Sequence, residues 1–184
     1  MTDAALVIAL ANAQADRRPT HAPAAVPHDA LADAGSASEL LKPFLDHPVD
    51  ARELPAVRAL QGAVVAIVDK LIDGSQPPLE VLNALAAQEP AIYALELQPD
   101  GRLLTTLRPK RPSAAARLLI AVTRELSELE PSRLRRCARP ECSLVFYDVT
   151  RSATQRWHAE RPCGLRERQR RHRAKHARPI ARRP

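Results

Sequence analysis

From Leu54 to Asp73 the apolar residues fall at Leu54, Val57, Leu60, Val64, Ile67, Val68, Leu71 and Ile72, mostly in steps of three and four. That spacing lays one apolar face along an amphipathic helix. Pro55 suits the first turn of such a helix, and Gly74 with Pro77 supplies its stop. A shorter helix is predicted over PPLEVLNALAAQ, with prolines in its first turn. A third is predicted over SAAARLLIAVTRELSELE, where Leu118, Leu119, Val122, Leu126 and Leu129 recur on one side. Between these two the period changes. In AIYALELQPDGRLLTTL, Tyr93, Leu95 and Leu97 alternate with other residues, as do Leu103, Thr105 and Leu107, and Pro99-Asp100-Gly101 marks a tight turn. One β-hairpin is therefore predicted there. The segment from about 17 to 30, RRPTHAPAAVPHDA, reads as a proline-punctuated loop, and residues 3 to 15 as a strand or a short helix.

Composition narrows the choice of chemistry. The 184 residues are 45% hydrophobic, mostly Ala, Leu and Val, with only 3% aromatic, five glycines and 17 prolines. Neither phosphate-cradling glycine pattern, G-x-x-x-x-G-K-[ST] or G-x-G-x-x-G, is present. No apolar run approaches the ~20 residues of a membrane span. The short apolar N-terminal segment follows an acidic start, which argues against a secretory signal and for a cytoplasmic protein. His21, His28 and His47 lie in loop-like surroundings without a paired cysteine or carboxylate, so no catalytic set assembles and the chain reads as a non-enzyme.

The net charge of +7 conceals a division. Residues 1–130 carry 12 Lys and Arg against 17 Asp and Glu, whereas residues 131–184 carry 16 against 4. A mildly acidic body with a strongly basic C-terminal part is the distribution expected of a chain that meets a polyanion.

All three cysteines fall in the basic part, as Cys137-x4-Cys142 followed by Cys163. Two cysteines flanking a short proline-containing loop form a zinc knuckle, and SLVFYDV after it is β-rich enough to return as a strand. A structural zinc site takes four ligands. His158-x4-Cys163 repeats the spacing of the first pair and completes a set of three cysteines and one histidine; His172 and His176, four apart, are the rivals for the fourth place. Gly164 after Cys163 permits a tight backbone turn at the metal. Glu160 and Glu167 read as solvated residues, Asp148 as a carboxylate supporting the finger, and Trp157 as its small core together with Phe146.

Behind the last cysteine, LRERQRRHRAKHAR contains good helix formers but only Leu165, Ala174 and Ala177 as apolar residues. A helix polar all round needs an anchor or a partner, and a metal at its N-terminus supplies nucleation. It displays Arg166, Arg168, Arg170, Arg171, Arg173, Lys175 and Arg178, of which Arg166, Arg170 and Arg173 line one face at i, i+4, i+7. Arg135, Arg136 and Arg139 add charge beside the knuckle. Such a face suits phosphate contact and entry into a groove.

Cys137-x4-Cys142, Phe146, Asp148, Thr150-Arg151, Arg156-Trp157 and Cys163-Gly164-x-Arg166 together resemble the CGNR zinc finger, which in that family follows an N-terminal ABATE domain. The chain departs from the family pattern twice: His158 stands where the family has Cys, and Leu165 where it has Asn. The resemblance implies a stress-related transcription regulator whose finger binds DNA, with Arg151 and Arg156 added to the basic set. The expected fold is α+β and mainly helical. A helix-rich body with one β-hairpin covers 1–130, a zinc-finger module with a basic helix 133–178, and a flexible tail 179–184. Zn2+ is the expected cofactor and DNA the expected partner, with RNA or an acidic protein surface as alternatives. The body is read as a sensor or oligomerisation domain whose effector and oligomeric state the sequence does not specify.

Overall fold

The computed structural model describes residues 4–14 and 29–176. They form six α-helices and two separate two-stranded antiparallel sheets, a mainly helical α+β fold. The helices are α1 (Ala5–Asn12), α2 (Ala34–Leu41), α3 (Leu54–Ile72), α4 (Glu80–Gln88), α5 (Ala114–Glu128) and α6 (Leu165–His176). The first sheet pairs β1 (Ala91–Leu97) with β2 (Leu103–Pro109), and the second pairs β3 (Leu134–Arg136) with β4 (Val145–Tyr147).

The long helix behaves as its periodicity dictates. Val57, Leu60, Val64, Ile67 and Val68 are buried on one side of α3, which packs against α1, α4 and α5. In α5, Leu118, Leu119 and Val122 are buried and Ser113 caps the N-terminus by accepting from the Ala116 N–H. The stretch that read as strand or helix is α1. Its N-terminus has no local side-chain cap; Glu125 of α5 accepts from the N–H groups of Leu6 (3.2 Å) and Val7 (2.9 Å) instead. A carboxylate there satisfies orphan donors and complements the helix dipole, so α1 is fixed by a residue 118 positions away. Pro77 and Pro78 lie just before α4, not in its first turn. Helix α2 has no counterpart in the sequence reading: AGSASELL shows little period, and its start is set by Asp33, which accepts from Ser36 N–H at 2.8 Å. The loop expected at 17–30 falls outside the described residues except for its last two positions.

The β1–β2 hairpin turns at Pro99-Asp100-Gly101, with Gly101 at φ 82° and the Gly101 N–H donating to Gln98 C=O. Its alternation does not mark a buried face. Tyr93, Leu95, Leu97, Leu103 and Leu107 all point to solvent, because the hairpin meets the body through its other face, along α5.

The second sheet belongs to the main core. Leu134, Val145 and Tyr147 are buried in one cluster with the residues of α1, α3 and α5, so the core crosses the boundary expected near residue 130. Asn12 reinforces this junction. Its side-chain Nδ2 donates to Val145 C=O and its Oδ1 accepts from Val145 N–H, both at 2.9 Å. No helix among the described residues is long and apolar enough to cross a membrane.

Candidate metal centre and nucleic-acid interface

Strand β3 leads into Cys137, whose N–H donates to Leu144 C=O at 2.9 Å, and the turn to Cys142 closes through Cys142 N–H to Arg139 C=O, also at 2.9 Å. Ala138 N–H donates to Arg156 C=O at 2.8 Å, which draws the segment carrying His158 alongside the knuckle. An irregular turn, Glu160–Gly164, with a cis peptide between Arg161 and Pro162, then delivers Cys163 directly before α6. One ligand atom from each of Cys137, Cys142, His158 and Cys163 lies within 4.8 Å of all the others. Cys142 Sγ and His158 Nδ1 are 3.4 Å apart.

A tetrahedron with metal bonds of about 2.0–2.3 Å has edges of about 3.3–3.8 Å, so the donor set fits a four-coordinate soft metal. The three cysteines are buried, with Leu144 and Trp157 packed over them. Burial pushes the Cys142 thiol up to about 12; the Leu144 backbone N–H opposes it, and the neighbouring Cys137 and Cys163 sulfurs add smaller upward pushes. The buried Cys142 thiol thus resists ionisation on its own, and a cation held by the four donors is what would make it a thiolate. No other group of three His, Cys, Asp or Glu among the described residues is arranged to hold a metal. His172 and His176, the rivals for the fourth place, stack on each other with ring centroids 4.4 Å apart.

Gly164 lies in the irregular turn that precedes α6, without a left-handed conformation; the glycines with positive φ among the described residues are Gly74 and Gly101. Its lack of a side chain matters for space, since a Cβ there would stand 2.5 Å from Glu160 Oε2 and 3.2 Å from Trp157 Cε3. Glu167 is not solvated: it is 4% exposed at the start of α6 and accepts from Arg170 (2.8 and 2.9 Å) and Arg171 (3.1 Å). The Arg170 hydrogen bonds, aided by Arg171 and opposed by burial, hold its carboxyl at about 2.

Asp148 is fully buried and accepts from Thr150 N–H (2.9 Å), Thr150 Oγ1 (2.6 Å) and Gln155 N–H (2.8 Å), while Arg135 Nε stands 3.8 Å away. Burial would raise its pKa, but these donors and the Arg135 charge outweigh it and keep the carboxyl below the usual range. It shapes the loop that carries Arg151, which is exposed. Trp157 is half-buried, with the Arg156 guanidinium 5.6 Å from its ring centroid.

The arginines divide by what they touch. Arg135 Nη2 donates to Ala153 C=O at 2.6 Å, and Arg136 bridges to Asp69 (2.9 Å) and Asp73 (3.4 Å) on α3. Arg168 pairs with Glu160. Arg173 and Lys175 are exposed in the later turns of α6. Arg166, Arg170 and Arg173 meet Arg139 from the knuckle, with Glu141, Glu167 and Gln169, around an open groove of about 360 Å³. Arg139 Nε donates to Glu141 at 2.8 Å, but its buried Nη1 has no hydrogen-bond partner. Sequence reasoning placed Arg139 near the knuckle without giving it a contact. It missed Asn12 altogether, because an asparagine near the start of the chain carries no sign that it pairs with a strand 133 residues later.

Residues 4–139 match the ABATE family, described as "Putative stress-induced transcription regulator", and residues 133–176 match the CGNR zinc finger. The two matches overlap at 133–139, the segment containing β3 and Cys137. No curated protein matches the chain.

Proposed function

Because the chain belongs to the ABATE family and carries a CGNR zinc finger, we propose that it is a zinc-dependent transcription regulator whose finger binds duplex DNA. Cys137, Cys142, His158 and Cys163 hold Zn2+ in this reading. The metal supplies structure and no catalysis: with four protein donors the coordination shell is full, whereas catalytic zinc keeps a position open.

The observation that carries the DNA reading is the groove between knuckle and helix. Four arginines line it against two carboxylates, and the buried Arg139 Nη1 lacks an acceptor. Leaving a buried charged donor unmade costs free energy that an incoming phosphate oxygen would recover. Arg139, Arg166, Arg170 and Arg173 then contact backbone phosphates, Arg151, Arg156, Arg168, Arg171 and Lys175 add sequence-independent charge, and Arg135 and Arg136 hold the finger together and against the body.

The test is duplex binding by fluorescence anisotropy across salt, with zinc measured on the same samples. About four phosphate contacts give a slope of roughly −3.6 in log K against log salt, so affinity falls about 150-fold between 50 and 200 mM. Arg166→Ala with Arg170→Ala and Arg173→Ala should abolish duplex binding and leave one zinc per chain. Full binding by that triple variant, or zinc-free wild type, sinks the reading. Stronger competition by RNA than by duplex transfers the groove to RNA.

A further inference from the structure

We propose that the outer face of the β1–β2 hairpin is a dimerisation surface that takes the same face of a second copy of this chain. Tyr93 stands opposite Leu107, Leu95 opposite Thr105 and Leu97 opposite Leu103, so these six side chains share one face of the two-stranded sheet. Tyr93 is 82% exposed, Leu97 71%, Leu95 69%, Leu103 67% and Leu107 45%. Five of the ten large apolar side chains left exposed among the described residues share this one face, with Ile92 and Leu104 on the hairpin's other face, which makes it a concentrated patch and not the ordinary scatter of a surface. The face carries no charged residue. A self-complementary pairing about a two-fold axis therefore buries no unpaired charge.

Three alternatives decide the occupant. The chain's own remaining segments, residues 1–3, 15–28 and 177–184, contain only Met1, Val26 and Ile180 as large apolar residues, too few to cover five. Edge-to-edge pairing of two hairpins would satisfy backbone groups but leave the apolar face in water and double its width. Face-to-face stacking covers it. The five side chains present about 600 Å² per copy, so two copies remove roughly 1,200 Å² from water, the lower bound of a standard specific interface. The stacked hairpins form a two-layer, four-stranded sandwich with sheets about 10 Å apart.

The test is sedimentation velocity of the full zinc-loaded chain from about 1 to 100 µM, a span that brackets micromolar dissociation constants. Wild type should pass from monomer to dimer. Leu95→Glu with Leu103→Glu sets like charges against each other at the two-fold and should weaken dimerisation at least about hundredfold. Both side chains are exposed in the monomer, so zinc content and circular dichroism should not change. Val81→Glu, on an exposed apolar residue of α4, should dimerise like wild type. A wild type that stays monomeric at the highest concentration overturns the proposal, as does a double variant that still dimerises. Neither result bears on DNA binding, which is read separately.

Discussion

Replacing Asn12 by Ala tests whether finger and body are one folding unit. In the β3–β4 register Arg136 faces Val145, and Cys137 N–H bonds to Leu144 C=O, so the N–H and C=O of Val145 turn away from β3. Asn12 is the partner of both, at 2.9 Å each. Val145 is 1% exposed, so little water reaches these groups once the amide is gone. Each buried backbone group left without a partner costs about 1–3 kcal/mol, which places the whole loss at about 2–6 kcal/mol. A domain of ordinary stability has about 5–15 kcal/mol in total. With a urea slope of about 2 kcal/mol/M, the midpoint should fall by about 1–3 M. Circular dichroism of the helices and release of zinc to an indicator dye would be followed through the same titration. Both curves should shift together, although Asn12 touches no metal ligand. A shift worth less than about 0.5 kcal/mol, the range of a surface substitution, refutes the clamp. Zinc release that moves while the helical transition stays fixed refutes the single unit.

Gly164→Ala should weaken zinc retention and destabilise the finger by about 1–3 kcal/mol, because Glu160 can swing aside but the Trp157 ring cannot without disturbing the packing over the cysteines; a competition titration against a chelating dye checks it, and wild-type affinity counts against the packing argument. The Glu167 carboxyl carbon should show no titration step by NMR between pH 7 and 4.5. Its folded pKa, held at about 2, lies below that of an ordinary glutamate, so the ion pairs with Arg170 and Arg171 stabilise above the ordinary carboxylate range and are lost only as pH falls toward 2. A midpoint above 4 contradicts that arrangement. Chelation should strip hydrogen-exchange protection from α6 and leave the amides of β3 and β4 protected; loss from all three at once would mean that the metal, and not the core, holds the second sheet.

What was legible in the sequence is what local period and spacing encode. The apolar steps of α3 and α5, the alternation and turn of the hairpin, and the x4 spacing shared by the two ligand pairs each translate into an element or a cluster. What stayed hidden depends on contacts distant in sequence. Glu125 capping α1, Asn12 clamping β4 and Arg136 reaching α3 each join residues separated by more than 60 positions, and no window of sequence displays them. Glu167 was hidden for a different reason. In a run of arginines a glutamate resembles an ordinary solvated neighbour, and only the fold shows it buried between two of them. The alternating leucines of β1 and β2 predicted the hairpin but not its surroundings, since period 2 marks an apolar face without saying what covers it.

The placement of the four donors explains why so basic a helix is ordered. Cys137 and Cys142 hang from a hairpin whose Leu134, Val145 and Tyr147 lie in the body's core, so half the metal site is fixed by hydrophobic packing. His158 and Cys163 belong to the segment that leads into α6, where every residue but Leu165 and Glu167 is exposed. Burial therefore cannot fix the helix, and its cations repel one another. In the proposed reading, a metal shared between the two halves would carry rigidity from core to helix, acting at the N-terminal turn. Glu167 then neutralises the first crowding of charge by holding Arg170 and Arg171, while Arg139 comes from the fixed half of the site to complete the groove. The separation of charge along the chain is thus built into the fold: Arg136 is held by Asp69 and Asp73 of the acidic body, while Arg168, Arg170 and Arg171 of α6 pair with Glu160 and Glu167 of the finger.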